Sequence, residues 1–181
     1  MTADEYLAGI VNQYRVPTGP RSPGAVAAGI ILPVIQSWAG SVLNGVSYSG
    51  SYAKGTAIRG CSDVDIFISI KNECTMPLAD IYESLFRTVR DAGYSVRRQN
   101  VSIGTEVNGV RMDLVPGRQQ PGSTNDHSLY LSKRRSWTKT NVTVAADQIA
   151  NPIDGVVSVE ILSSAWRSLL RVNNASVISF Q

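Results

Sequence analysis

A chain of 181 residues is long enough to form one domain with a buried core, or a large part of one. Its residues are 43% hydrophobic and 17% charged, which excludes an intrinsically disordered chain and indicates a soluble globular protein. The net charge of +3 is compatible with a polyanionic partner but does not require one.

The cysteines and the apolar segments bear on the cellular compartment. Cys61 and Cys74 are too few for a disulfide framework, and their spacing does not form a zinc motif. The first residues lack the basic and apolar regions of a signal peptide. The apolar stretch 24–35 is about half as long as a membrane span and contains Pro33. We therefore expect free thiols, a cytoplasmic location and no membrane contact.

The first seventy residues predict two helices and two strands. Apolar residues at helical or alternating spacing, together with glycine and proline breaks, define the elements. In chain order these are a helix over 3–14, a break at 17–24, a helix over 25–39 with Ile30, Ile31, Val34, Ile35 and Trp38 on one side, a strand within 42–50, a helical turn at 52–58 and a strand over 63–70.

The remaining residues continue this alternation. They predict a helix over 78–93 ended by Gly93, strands over 94–103 and 107–115 that turn near Gly104 or at Asn108-Gly109, a loop at 118–126, a short strand at 127–132, a polar basic segment at 133–141 and a helix over 156–172. Because helices alternate with strands along the chain, the pattern favours an α/β or α+β fold.

Two aspartates one residue apart, Asp63 and Asp65, begin the predicted strand 63–70. Side chains alternate across a strand, so both carboxylates point the same way and each raises the other's pKa. A divalent cation removes this conflict, because Mg²⁺ is typically held by one or two carboxylates together with substrate phosphates. Asp113 supplies a third carboxylate, opposite the face that Val110, Met112 and Leu114 share. We expect the three aspartates to meet from two strands and to hold two metal ions.

The pair Gly50-Ser51 stands at the end of the strand within 42–50, thirteen residues before Asp63. Glycine permits a close approach of the backbone, and free N–H groups at the start of a helical turn bind phosphate. The hydroxyl of Ser51 is a further donor. We therefore expect a bend that binds the phosphates of a nucleotide beside the metal-binding strand.

The segment "GSYAKGTAIRGCSDVDIFI" resembles the signature of the DNA polymerase β-like nucleotidyltransferase superfamily, in which Gly-Ser and a spacer precede Asp-x-Asp within a strand. "KGT" and "VRMDLVPG" are similar to the branch that contains archaeal CCA-adding enzymes, oligoadenylate synthetases and bacterial cGAS-like cyclic-oligonucleotide synthases. The likeness extends over about 25–180, and its specific parts are 49–70 and 110–117.

This resemblance implies a polymerase β-like nucleotidyltransferase fold, with a mixed central sheet and flanking helices. It implies a palm-like catalytic domain over 1–150 and the start of a C-terminal helical region over 151–181, shorter than in relatives. The implied enzyme transfers a nucleoside monophosphate from a nucleoside triphosphate to a hydroxyl and releases pyrophosphate. The acceptor is either another nucleotide, as in second-messenger synthesis, or an RNA 3′ end.

The same resemblance implies roles for individual residues. Asp63, Asp65 and Asp113 would hold two Mg²⁺ or Mn²⁺ ions, and Asp113 would assist deprotonation of the acceptor hydroxyl. Gly50 and Ser51 would hold the nucleotide phosphates. Catalysis would come mainly from positioning and charge neutralisation.

Two departures from the family's pattern favour alternatives. Family members commonly have a proline just after a Trp-x-x-Thr element, where this chain has Val142 or Thr143. A lysine that contacts the triphosphate in relatives is replaced by Ser164. One alternative is a non-catalytic or antitoxin-like member that binds nucleotide without turnover. Another is an enzyme that nucleotidylates a small molecule of the aminoglycoside type.

Several other side chains are open to two interpretations. Lys54, and Lys133 within the basic run 133–135, are candidates for substrate binding, and solvated surface lysines are the alternative. Trp137 has the chemistry to stack on a base, although a role in the core or at an interface is the more common one. The single histidine, His127, is interpreted as structural or exposed, and packing is the default role for Tyr48 and Tyr52 beside Gly50-Ser51.

Overall fold

The computed structural model describes residues 2–17 and 19–142. The helix predicted over 156–172 and the predicted domain boundary at 150 lie outside the described residues. The elements in chain order are α1 Ala3–Tyr14, α2 Pro23–Ala39, a 3₁₀ turn Gly40–Val42, β1 Leu43–Tyr48, α3 Gly50–Ala53, β2 Val64–Ile70, α4 Leu78–Asp91, β3 Val96–Arg98, β4 Ile103–Val107, β5 Val110–Gln119, β6 Asp126–Leu131 and β7 Ser136–Asn141.

The strands of the described part form one mixed sheet. Its main path runs β1-β2-β5-β4-β3, and the pairing of β2 with β5 at its centre is parallel. The long strand β5 pairs with β4 along its first half and with β6 near its end, and β7 follows β6. All pairings other than β2 with β5 are antiparallel. The sheet with its flanking helices confirms the expected mixed α+β fold.

One face of the sheet packs against α2 and α4 and forms the core. Alternate residues of the two central strands point toward these helices and are at most 3% exposed; we call them the covered face, and they are Val64, Ile66, Ile68, Ile70, Met112 and Leu114. Helix α4 contributes the apolar stripe that its sequence predicts, and its buried residues are Ile81, Tyr82, Leu85, Phe86 and Val89.

Helix α2 begins earlier and is rotated relative to the sequence-based expectation. Ser22 caps it by accepting a hydrogen bond from the Ala25 N–H, and Pro23 occupies the first turn, where a missing N–H costs nothing. The buried side includes Ile31 and Ile35, whereas Ile30 is 38% exposed. The prediction that Ile30 belongs to the buried side was therefore wrong.

The expectation that the apolar stretch is too short for a membrane span is also corrected. The segment Pro23–Val42 has the length and the apolar composition to cross a membrane, the one such segment among residues 2–17 and 19–142. In this fold its inner side packs against α4 and the sheet. A core helix of a soluble protein satisfies the same criterion of length and composition.

Helix α1 forms where the sequence predicts it, and its start is fixed by a capping box. The Thr2 hydroxyl accepts from the Glu5 N–H, and the Glu5 carboxylate accepts from the Thr2 N–H. None of its residues is buried, and Tyr6 and Tyr14 are 57% and 43% exposed. The apolar stripe of this helix therefore does not pack into the core of the described fold.

The segment 94–119 contains three strands instead of the predicted two. The turn falls at Asn108-Gly109, where both residues have positive φ, as a two-residue hairpin turn between β4 and β5 requires. Gly104 lies inside β4 and does not form a turn. The polar segment 133–141, for which no strand was predicted, contains β7, whose residues are half-buried or exposed.

Candidate functional site

The aspartates singled out in the sequence lie on the sheet face opposite α2 and α4. Asp65 of β2 and Asp113 of β5 are direct partners in the parallel register, and Asp63 lies immediately before β2. We call this side the site face. It continues along the two strands through Phe67, Ser69 and Val115. The side chains of Asp113 and Asp63 are 16% and 25% exposed, so both carboxylates lie partly out of water.

The Gly-Ser pair lies against the carboxylate of Asp65. Helix α3 begins at Gly50, so the predicted helical turn starts two residues earlier than expected. The Ser49 N–H bonds the Asp65 carbonyl at 2.9 Å, and the Ser51 N–H bonds the Asp65 carboxylate. Gly50 has φ +58°, and a Cβ there would lie on the carboxylate, 2.7 Å from Cγ. Glycine is therefore required at this position for both backbone geometry and space.

The environment of the site face disfavours negative charge. Burial, followed by the nearby charges of Asp113 and Asp63, raises the pKa of Asp65 to about 6, although the Ser51 N–H opposes the shift. Burial and the charge of Asp63 also raise the pKa of Asp113, against the opposing effects of Arg97 and Gln99. The three carboxylates are thus close enough to interact electrostatically, and at neutral pH they need positive charge.

Two arginines supply positive charge in this structure. Arg97 Nη2 lies 3.3 Å from Asp63 Oδ2 and 3.6 Å from Asp113 Oδ1, so one guanidinium contacts both carboxylates. Arg111 Nε lies 2.9 Å from Asp63 Oδ1. Both arginine side chains are about half exposed, at 50% and 49%.

Gln99 holds Asp113 in place. Its Nε2 donates to Asp113 Oδ1 at 2.7 Å, and the Ser102 hydroxyl donates to its Oε1 at 3.1 Å. The hydroxyl of the buried Tyr82 lies 3.0 Å from the Gln99 carbonyl, which fixes the backbone at the same point. Asp113 is therefore oriented by a hydrogen-bonded loop that is anchored to α4.

The described residues contain no group of three His, Cys, Asp or Glu side chains arranged to hold a metal ion. The donor chemistry nevertheless fits Mg²⁺ or Mn²⁺, because such ions need only one or two carboxylates when substrate phosphates and water complete the shell. Asp63 Oδ1 is buried, and its one contact is the ion pair with Arg111 Nε at 2.9 Å. A metal ion that used this oxygen would replace the arginine there.

The candidate lysines differ in their relation to the aspartates. Lys54 follows α3 directly and is half-buried. Lys133 is exposed in the turn between β6 and β7, and its N–H lies 3.4 Å from the Asn100 side chain. That places Lys133 next to the loop that carries Gln99. Among the described residues, neither ammonium group makes a hydrogen bond or an ion pair that would hold it in one position.

A groove of about 570 Å³ extends from the Gly50 bend over the site face. Tyr48 and Phe67 provide aromatic walls, and His127 lies at its far side. The His127 Nδ1 faces the Asn125 carbonyl at 2.9 Å and therefore carries a proton, so Nε2 accepts from the Ser69 hydroxyl at 2.7 Å in the neutral ring. His127 is 3% exposed, which agrees with the structural role expected for it.

A second depression of similar volume lies away from the aspartates. Arg118, Trp137 and Lys139 line it. Trp137 is 57% exposed, so it is not a core residue, and the expected interface role stays a prediction. None of Asp63, Asp65 and Asp113 lines either depression, but the groove is lined by Gly50, which lies against the Asp65 carboxylate, so the second depression is the weaker candidate for a reaction site.

Sequence reasoning missed Arg97, Arg111 and Gln99. Arg111 had a detectable signal, because it precedes Asp113 by two residues and alternation places both on one face. Arg97 and Arg98 had no such signal. In the structure they point to opposite sides, since Arg98 pairs with Glu83 at 2.8 Å and lies over the ring of Phe86.

Residues 43–118 match a family described as the nucleotidyltransferase domain. The matched segment begins with β1 and ends within β5, so it contains the Gly-Ser bend and the three aspartates. No curated protein sequence matches the chain significantly.

Solved structures share the fold at low sequence identity. The Elizabethkingia meningoseptica CdnE cyclic dinucleotide synthase with GTP and Apcpp matches at TM-score 0.64 and 17% identity, over 79% of this chain and 56% of that one. The Bradyrhizobium diazoefficiens CD-NTase CdnG with GTP matches at 0.66 and 17%, over 78% and 44%. The E. coli MS115-1 CdnC with ATP matches at 0.60 and 21%, over 82% and 51%. This chain therefore spans about half the length of the chains that it matches.

Proposed function

Since the chain carries a nucleotidyltransferase domain with the polymerase β-like fold, we propose that it transfers a nucleoside monophosphate from a nucleoside triphosphate to a hydroxyl. The acceptor oxygen forms a bond to the α-phosphorus, and the bond from that phosphorus to the bridging oxygen breaks. Pyrophosphate leaves with the electron pair, and the proton of the acceptor hydroxyl is taken up by a carboxylate of the site.

One observation carries this proposal. Asp65 and Asp113 are adjacent in the parallel register of β2 and β5, directly beside the Gly50-Ser51 bend. A phosphate chain lying on this bend would have the carboxylates next to it. The groove that continues past Tyr48 and Phe67 is large enough to accept the rest of a nucleotide.

The carboxylates have separate roles in this proposal. Asp63 and Asp65 would hold divalent ions, two Mg²⁺ or Mn²⁺, and Asp113 would be a further ligand. When bound, the ions would neutralise the charge of the triphosphate and lower the pKa of the acceptor hydroxyl. The chain itself supplies the carboxylate of Asp63, which Arg111 pairs with in this structure, and the absence of side-chain bulk at Gly50.

Asp113 is the best placed proton acceptor. Burial and the charge of Asp63 raise the pKa of its carboxyl group, which makes the carboxylate a stronger base. The hydrogen bond from Gln99 keeps one of its oxygens fixed. The Asp113 side chain is therefore oriented before the acceptor arrives.

We favour a second nucleotide as the acceptor. The structural matches named above include a cyclic dinucleotide synthase, and the residues of the Gly-Ser segment resemble the signalling branch of the superfamily. An RNA 3′ end is the main alternative acceptor. Product analysis by mass spectrometry distinguishes the two acceptors.

A second candidate function is nucleotide binding without turnover. The arginine contacts of Asp63 favour it, because these contacts occupy carboxylates that an active enzyme needs for metal ions. The serine at 164, in place of the family's lysine, points the same way.

The deciding experiment incubates the purified chain with all four nucleoside triphosphates and Mg²⁺ or Mn²⁺. Pyrophosphate release is followed, and products are identified by mass spectrometry. We expect release and oligonucleotide products without an added acceptor. Release only with added RNA would favour RNA extension, and release only with an aminoglycoside would favour small-molecule nucleotidylation. Binding of a non-hydrolysable triphosphate by calorimetry, with no release under any condition, would favour the second candidate.

The double variant Asp63→Asn/Asp65→Asn should abolish release. The matched control is Asp80→Asn/Asp91→Asn, which removes the same charge from α4, on the other side of the sheet. The control should release pyrophosphate at the wild-type rate. Unchanged release by the Asp63→Asn/Asp65→Asn variant would refute the proposed site.

A further inference from the structure

Four residues form one row across the sheet beneath the site. Asp65 pairs with Asp113, Asp113 pairs with Gly104, and Gly104 pairs with Arg97. The row therefore carries two carboxylates on the central strands, no side chain on β4 and a guanidinium on β3.

The missing side chain on β4 is what allows Arg97 to reach the aspartates. A Cβ at Gly104 would lie 2.7 Å from Arg97 Cγ and 2.8 Å from Arg97 Cζ. Arg97 thus lies across the backbone of β4, and its Nη2 arrives between Asp63 and Asp113. Gly104 does not have the positive φ that would by itself require glycine, so space is the reason for glycine here.

The guanidinium lies between Asp63 and Asp113, the two carboxylates that would hold a divalent cation. It contacts one oxygen of each carboxylate, and divalent ions would use the same oxygens. The Arg97 side chain is half exposed and makes no other ion pair among the described residues, so it has both the room and the freedom to move away.

We propose that Arg97 is a resident cation of the active site, which neutralises Asp63 and Asp113 in the metal-free protein and competes with divalent metal ions for them. Gly104 is the residue that admits it. The inference rests on the proposed function, because it assumes that these carboxylates bind metal. Arg97 is then a positioning residue, and its side chain moves away from Asp63 and Asp113 when metal ions bind.

The test is a titration of the nucleotide-free protein with Mn²⁺, with free Mn²⁺ measured by electron paramagnetic resonance. Arg97→Gln should lower the Kd for Mn²⁺ about fivefold, the effect of removing a partly exposed ion pair. Gly104→Ala keeps the charge but pushes the flexible side chain aside, and it should also lower the Kd. Arg90→Gln removes an exposed arginine that pairs with Asp91, and it should leave the Kd unchanged.

The outcomes separate the two proposals. A damaged fold would weaken Mn²⁺ binding, so tighter binding by both variants supports the competition directly. Equal or weaker binding by Arg97→Gln, in a protein whose wild type binds Mn²⁺, overturns this inference and leaves the proposed function intact. Absence of Mn²⁺ binding in the wild type and in both variants also overturns this inference, whereas the proposed function is tested separately by pyrophosphate release in the presence of the triphosphates. Binding that appears only in the variants supports the inference in its strongest form.

Discussion

Residues of the covered face and of the site face alternate along β2 and β5, but the two faces differ in their chemistry. The covered face consists of aliphatic and methionine side chains that are at most 3% exposed. The site face carries Asp65 and Asp113, whose pKa values are raised by burial and by neighbouring negative charge. A raised carboxylate pKa means that the charged form is disfavoured in the folded protein.

The difference shows where stability and chemistry are located. Burial of apolar side chains on the covered face stabilises the fold. The closely placed carboxylates on the site face destabilise the metal-free fold at neutral pH, and Arg97 and Arg111 reduce this cost. Changes on one face should therefore alter stability, and changes on the other should mainly alter activity.

The largest expected effect comes from the site face. Asp113→Asn removes the proposed proton acceptor, and loss of a general base typically costs about 10² to 10⁴ in rate. We expect kcat for pyrophosphate release to fall at least about a hundredfold. Thermal unfolding should show a folded protein. A fall of less than tenfold would remove Asp113 from the proposed mechanism.

The covered face should give the opposite result. Ile68→Ala leaves a cavity beside α2 and α4, and such substitutions cost about 2–5 kcal/mol of unfolding free energy. Denaturant titration measures this loss. Activity per folded molecule should stay within about threefold of wild type, because Ile68 points away from the carboxylates. A large loss of activity in the folded fraction would contradict the division between the faces.

The pH dependence of Asp65 sharpens the comparison. Its pKa of about 6 in the folded protein exceeds the value of about 3.9 in an unfolded chain. The unfolded state therefore loses this proton first, and the residue lowers the free energy of unfolding as pH rises from about 4 to about 6. In chelator, Asp65→Asn should melt about 2–4 °C above wild type at neutral pH.

This difference between Asp65→Asn and wild type should disappear below about pH 3, where Asp65 is uncharged in both the folded and the unfolded state. Circular dichroism melts across this range measure it. The control is Asp91→Asn, since Asp91 is 64% exposed and faces solvent. A variant that is less stable than wild type at neutral pH would show that the negative charge of Asp65 stabilises the metal-free fold.

The smallest effect is expected at the edge of the site. Lys54 follows α3 but has no fixed ionic partner among the described residues. A solvent-screened charge contributes at most about 1 kcal/mol, so Lys54→Gln should raise KM for the triphosphate less than about fivefold. Steady-state kinetics with each nucleotide check this. A twentyfold rise would place Lys54 on the phosphates and extend the site beyond the sheet.

Much of this division could be predicted from alternation alone. The pattern of β2 and β5 places Val64, Ile66 and Leu114 on one face and Asp65 and Asp113 on the other. Arg111 follows from the same rule, although it was not identified. These predictions succeed because a side chain's direction within a strand is a local property.

The contacts that depend on the order of the strands in the sheet could not be predicted from the sequence. Arg97 reaches Asp113 because β3 and β5 both pair with β4, and no local pattern contains that information. Gly104 was predicted near a turn because glycine commonly forms turns, but here it leaves space within a strand. The polar strand β7 was missed because its own sequence has no apolar alternation. It forms by pairing with β6.

The register between β2 and β5 determines both the packing of the core and the pairing of Asp65 with Asp113. A slip of one residue in the pairing would turn the aliphatic residues of one strand outward and move Asp113 to the helix side. A single-residue insertion within Val110–Leu114 would therefore damage the core and the carboxylate pair together. The same insertion among the exposed turn residues 133–135 would leave both in place, so the length of the chain can vary less near the aspartates than in this turn.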